Sequence, residues 1–114
     1  MADVTIYHNP HCSKSRQTLQ LLQDRGIEPE IVEYLKSPPD AATLKDLLQK
    51  LGLEAADLVR NKEDEYEELG LEGAGDERLI QAMAENPILI ERPIVVKGDR
   101  ARLGRPPENA LELL

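Results

Sequence analysis

The sequence predicts a small α/β domain in the order β-α-β, helical insertion, β-β-α, with four strands in one mixed sheet. Three observations carry this. Val4-Thr5-Ile6-Tyr7, Ile31-Val32 and Ile94-Val95-Val96 are β-branched or aromatic runs of strand character. Apolar residues at helical spacing separate the first two runs, and Gly98-Asp99 is a two-residue hairpin turn after the third. A strand, a helix and a second strand make a right-handed parallel unit, whereas a hairpin is antiparallel, so the sheet is mixed.

Residues 3 to 7 form the first strand. Pro10 lacks a backbone donor and turns the chain into a first helix over about 13 to 24, with Thr18, Leu19, Leu21 and Leu22 on its apolar face and Gly26 as C-terminal cap. Glu30 to Leu35 is the second strand, after the turn at Glu28-Pro29. Ser37-Pro38-Pro39 stops it, and Asp40 caps a helix running to Leu51 and ended by Gly52, with Leu44, Leu47, Leu48 and Leu51 inward. Glu54 to Val59 and Asp64 to Leu69 read as two short helices, and Asp76 to Glu85 as a longer one burying Leu79, Ile80 and Met83. The insertion thus covers about 40–86 of a single domain, 1–114. Ile94 to Lys97 and Arg100 to Leu103 are the hairpin strands, and Pro107 opens a closing helix bearing Leu111, Leu113 and Leu114.

One domain of 114 residues without Phe or Trp must build its core from Leu, Ile, Val and Ala. A single cysteine excludes an internal disulfide framework. No apolar run approaches the roughly 20 residues of a membrane span, and the N-terminus lacks a signal-peptide layout, so a soluble cytoplasmic monomer without a membrane partner is expected. A net charge of -8 argues against a nucleic-acid partner, and any anionic substrate needs locally concentrated arginines. The acidic run Glu63-Asp64-Glu65-Tyr66-Glu67-Glu68 reads as a solvated helix face.

The most informative stretch is His8-Asn9-Pro10-His11-Cys12-Ser13-Lys14-Ser15-Arg16. It places Cys12 on a strand-to-helix turn, where unpaired amides and the positive end of the helix dipole favour a thiolate. In open sheets such turns, beyond the carboxyl ends of strands, are where sites form. Lys14 and Arg16 in the same turn, or His8 and His11 when protonated, are candidate cations. The polar flanks argue against a packed, inert thiol. Ser15 stands where a Cys-x-x-Cys would have its second cysteine, so an oxidised Cys12 must pass its state to another molecule. His8, His11 and Cys12 do not make a metal site, because Pro10 breaks the helix that would align them and no fourth ligand is near in sequence; no metal is expected.

A thiol on the first strand-helix turn and an X-Pro before the third strand resemble the thioredoxin fold, in which that proline, here Pro93, is cis and lies against the active cysteine. Thr5-Ile6-Tyr7-His8-Asn9-Pro10-His11-Cys12, Leu58-Val59-Arg60-Asn61-Lys62-Glu63, Arg92-Pro93-Ile94-Val95-Val96 and Gly104-Arg105-Pro106-Pro107-Glu108 resemble the glutaredoxin-coupled arsenate reductases across essentially the whole chain. The resemblance implies that Cys12 attacks arsenate, that Arg60, Arg92 and Arg105 hold the oxyanion, that His8 helps keep Cys12 ionised and that Ser15 donates to the thiolate. Guanidinium groups suit that task, being planar, permanently charged forks. It also implies no bound cofactor: glutathione is a co-substrate and glutaredoxin the partner that reduces the mixed species before arsenite leaves.

Two other readings share the thiol. A monothiol thioltransferase would need Cys12 without an arginine cradle. A non-enzymatic, redox-linked regulator that binds RNA polymerase would more often carry Cys-x-x-Cys, from which Ser15 departs.

Overall fold

Alternation sets the central strand. β1 (Val4–His8) buries Val4, Ile6 and His8 and leaves Thr5 and Tyr7 half-buried, the period of two that puts successive side chains on opposite faces. The computed structural model describes residues 3–114. Among them the chain divides into two compact units, the residues up to Ser37 with Arg92–Leu114, and Pro38–Glu91.

In the first unit β1 pairs in parallel with β2 (Glu30–Glu33) and antiparallel with β3 (Ile94–Lys97), which pairs antiparallel with β4 (Arg100–Leu103). The order β2-β1-β3-β4, with α1 (Ser13–Asp24) joining β1 to β2, is a thioredoxin-like mixed sheet. Val4, Ile6, Leu22, Val95, Ala110 and Leu113 form its buried cluster, with Leu19 and Ile27 packed against it.

Two elements differ from their expected form. β2 stops at Glu33, because its partner strand ends at His8, which stands opposite Glu33. The amides of Lys36 and Ser37 then both donate to the Glu33 carbonyl at 2.9 Å, and Leu35 is left exposed while Tyr34 is buried. The closing segment Pro107–Leu113 is a 3-10 helix. Its buried residues, Pro107, Ala110 and Leu113, recur every third position, the spacing that lines one face at three residues per turn. Leu114 is exposed.

The second unit contains α2 (Ala41–Leu51), α3 (Ala55–Leu58), α4 (Asp64–Glu68), α5 (Asp76–Glu85) and a 3-10 turn at Pro87–Leu89. Asp40 caps α2 by accepting from the Thr43 amide at 2.8 Å, and Gly52 ends it at φ 69°, a left-handed conformation suited to glycine. α2 and α3 both contact α5, whose Leu79, Ile80, Ala82 and Met83 are buried. An isolated antiparallel bridge joins Val59 to Ile90, flanked by bonds from the Arg60 amide to Leu89 and from the Glu91 amide to Leu58. α4 buries none of its residues. No helix among the described residues is long and apolar enough to cross a membrane.

Candidate active site

The site grows from the end of β1. Beyond His8 the Cys12 amide donates to the Asn9 carbonyl at 3.0 Å, and the His11 amide donates to Asn9 Oδ1 at 2.9 Å. This closes a turn around Pro10 and delivers Cys12 to the N-cap of α1, with φ -97° and ψ 124°. No oxygen caps that helix; the sulfur stands where a Ser or Asp oxygen commonly does.

The thiol is only 9 % exposed, and that burial by itself pushes its pKa up. The Ser15 amide, the charge of Arg92, the Lys14 amide and a hydrogen bond from Arg92 together outweigh it, so the thiol ends below its ordinary value. The side-chain cation acting on the sulfur is therefore Arg92, far along the chain. Lys14 contributes its amide, and Arg16 Nη1 donates to the Pro10 carbonyl at 2.9 Å.

His8 Nδ1 and Ser15 Oγ lie 2.6 Å apart, and the Asn9 amide donates to the same oxygen at 3.0 Å. His8 and Ser15 are both buried. Burial lowers the His8 pKa; Glu33, its neighbour across the parallel ladder, raises it, and Arg16 lowers it again. A ring whose pKa lies below 6.5 is neutral at pH 7, so His8 positions Ser15 without lending charge to the sulfur.

Between the lowered folded pKa and about 6.5 the unfolded chain binds a proton that the folded chain does not, so acidification through that window destabilises the fold. The melting temperature is expected to fall as pH drops below about 6.5, and a His8→Asn variant to lose that part of the slope. Parallel slopes in the two proteins would contradict a buried neutral His8.

Arg92 precedes β3 and Arg105 follows β4. The hairpin register, Ile94 opposite Leu103, brings their backbones to one end of the sheet. There the Gly104 amide donates to the Pro93 carbonyl at 3.0 Å and Arg105 Nη1 donates to the Arg92 carbonyl at 3.1 Å. The Arg92-Pro93 and Arg105-Pro106 bonds are both cis. Gly104 lies so close to α1 that a Cβ there would run into Thr18 Oγ1 and stand 2.8 Å from Pro93 Cγ. Thr18, fully buried, donates to the Lys14 carbonyl at 2.8 Å. The second turn of α1, through Thr18, and the strand-end loop bearing Arg105 are thus in direct contact.

Cys12, His8, Ser15, Arg92 and Arg105 therefore stand in one unit. Arg60 belongs to the other, where its Nη2 lies 2.9 Å from Glu63 Oε1 and its Nη1 donates to the Ile88 carbonyl at 3.5 Å. Sequence reading did not single out Thr18 and Gly104 as parts of the site. A threonine on the apolar face of the helix and a glycine just before Arg105-Pro106 are the signals that could have shown them. Among the described residues no group of three or more His, Cys, Asp or Glu side chains could hold a metal ion.

A lone thiol capping the first helix of this sheet, with an arginine from the loop before β3 beside it, defines a thioredoxin-like protein with one activated cysteine. The chain belongs to the ArsC family, which matches residues 7–113. It is 49% identical over 112 residues to an arsenate reductase of Neisseria meningitidis, covering 96% of each chain. It is 59% identical over 114 residues to the uncharacterized protein YfgD of Escherichia coli (strain K12), covering 97% of this chain and 96% of that one. Its fold is similar to an arsenate reductase structure from Vibrio cholerae, with a TM-score of 0.95, 54% identity and 97% of each chain covered.

Proposed function

We propose that the protein reduces arsenate to arsenite in the cytoplasm, with Cys12 as nucleophile and with glutathione and glutaredoxin supplying the electrons. The observation that carries this reading is the buried thiol at the N-cap of α1 with Arg92 beside it, which favours a thiolate and an oxyanion in the same place. The arsenate reductases among its relatives, at about half identity over nearly the full chain, support the choice of substrate.

In the first step the Cys12 thiolate displaces an oxygen of arsenate, which leaves as water after protonation, and a Cys12-S-As(V) ester forms. Arg92 and Arg105, with Arg60 as the third guanidinium assigned by its motif, bind the oxyanion and offset charge on the departing oxygen. Ser15 and His8 hold the first turn of α1 in place. Glutathione then displaces a second oxygen, which takes up the thiol proton and a further one and leaves as water, and becomes a second sulfur on arsenic. A glutaredoxin thiolate attacks the glutathione sulfur; the S-As pair returns to arsenic, giving As(III) and a glutaredoxin-glutathione disulfide. Water cleaves the remaining Cys12-As bond, releasing arsenite and the free thiol. Because Cys12 is the only cysteine, the resolving thiols must come from outside.

The test is arsenite formation by the purified protein with arsenate, glutathione, glutaredoxin and NADPH-driven glutathione reduction. Formation that stops when either glutathione or glutaredoxin is omitted is expected. Equal arsenite yield without them would overturn the donor assignment, and none in the complete mixture would overturn the substrate.

A further inference from the structure

The geometry points to Glu63 as a specificity-determining residue: it is an internal anion on Arg60 that an incoming oxyanion must displace. The inference rests on the reading above, in which Arg60 binds the oxyanion.

Arg60 is held at both ends. Its amide donates to the Leu89 carbonyl at 2.7 Å beside the Val59–Ile90 bridge, which fixes the backbone. Its Nη2 lies 2.9 Å from Glu63 Oε1, and the two side chains are only 23% and 25% exposed, so water and salt screen this pair less than one at the open surface. Glu63 is also the N-cap residue of α4, yet its carboxylate makes no capping hydrogen bond to its own helix. Within the acidic run from Glu63 to Glu68 it is the carboxylate paired with an arginine.

A carboxylate already on the guanidinium has two consequences for an anion that needs the same group. It lowers affinity for every oxyanion, because the pair must open or share its donors. It also favours a dianion over a monoanion, since the singly charged guest gains no more from Arg60 than Glu63 already provides. Glu63 thus raises KM for arsenate and leaves the chemical step, which takes place at Cys12, unaltered.

The test is a two-by-two set: wild type, Glu63→Gln, Arg60→Gln and the double variant. Each is assayed for arsenate reduction and for protection of Cys12 from alkylation by arsenate or phosphate, after melting curves establish folding. Glu63→Gln is expected to lower KM about two- to fivefold, the span of an ion pair of this exposure, with kcat unchanged and protection at correspondingly lower anion concentration. The double variant should match Arg60→Gln alone. If Arg60→Gln weakens anion binding while Glu63→Gln changes neither KM nor protection, Glu63 has no such role and the function of Arg60 stands. If Arg60→Gln alters nothing, Arg60 does not bind the oxyanion and the inference falls with it. The protection readout needs no electron donor, so a failure of the glutathione and glutaredoxin assignment leaves this test intact.

Discussion

Cys12→Ser is expected to abolish arsenite formation, reducing it to the rate of the uncatalysed reaction. The substitution preserves the size of the side chain at a position that is only 9 % exposed, so the fold and its melting temperature should change little. What it removes is ionisation. The amides of Ser15 and Lys14 and the guanidinium of Arg92 bring a thiol below its ordinary pKa, but a serine hydroxyl titrates so far above neutrality that the same environment leaves it protonated. An alkoxide is not available, and no second cysteine exists to substitute. Undiminished turnover in the serine variant would show that the nucleophile lies elsewhere.

Arg92→Ala is expected to reduce kcat/KM for arsenate by about 10²-fold, the scale on which removal of one preorganised oxyanion donor acts. Two losses add. The Cys12 pKa rises, because Arg92 acts on the sulfur both as a charge and as a hydrogen-bond donor, and the oxyanion loses a fork of matching shape. The two are separable by pH: raising it restores the thiolate but not the anion contact, so the variant's profile should shift to the alkaline side and plateau below wild type. Arg92→Lys should recover part of the thiolate and less of the anion binding, because an ammonium is a point charge without the planar fork. Against a glutathione mixed disulfide the same variants should differ from wild type only through the thiolate. A wild-type pH profile and rate in Arg92→Ala would place the activating charge elsewhere.

How much of this was legible in the sequence depends on the range of each interaction. Local signals were enough for β1, α1, α2 and the hairpin: Pro10 before Cys12, Asp40 at the N-cap of α2, Gly52 at φ 69° after it, and Gly98-Asp99 between β3 and β4. Cys12 was found by the same local logic. What local logic missed is tertiary. Local character carries β2 through Leu35, but a ladder ends where its partner ends, at His8. Pro107 and the leucines after it predict simply a helix, whereas packing buries Pro107, Ala110 and Leu113 at the three-residue spacing of a 3-10 form. Local sequence offers Lys14, Arg16, His8 and His11 as the cation beside the thiol. The structure supplies Arg92 through the register of β3 against β1 and leaves His8 neutral by burying it. Ser15 was expected, from the family resemblance, to donate its hydroxyl to the sulfur. Its amide favours the thiolate, while its hydroxyl meets His8 and the Asn9 amide.

The central claim is that the Cys12 thiol ionises more readily than an ordinary thiol because helix amides and Arg92 outweigh the cost of burying it. With one cysteine and no tryptophan in the chain, the ultraviolet absorbance of the thiolate can be titrated directly. The account predicts a single inflection below the ordinary thiol value of about 8.5, moved upward in Arg92→Ala. An inflection at or above that value in the wild-type protein would contradict it.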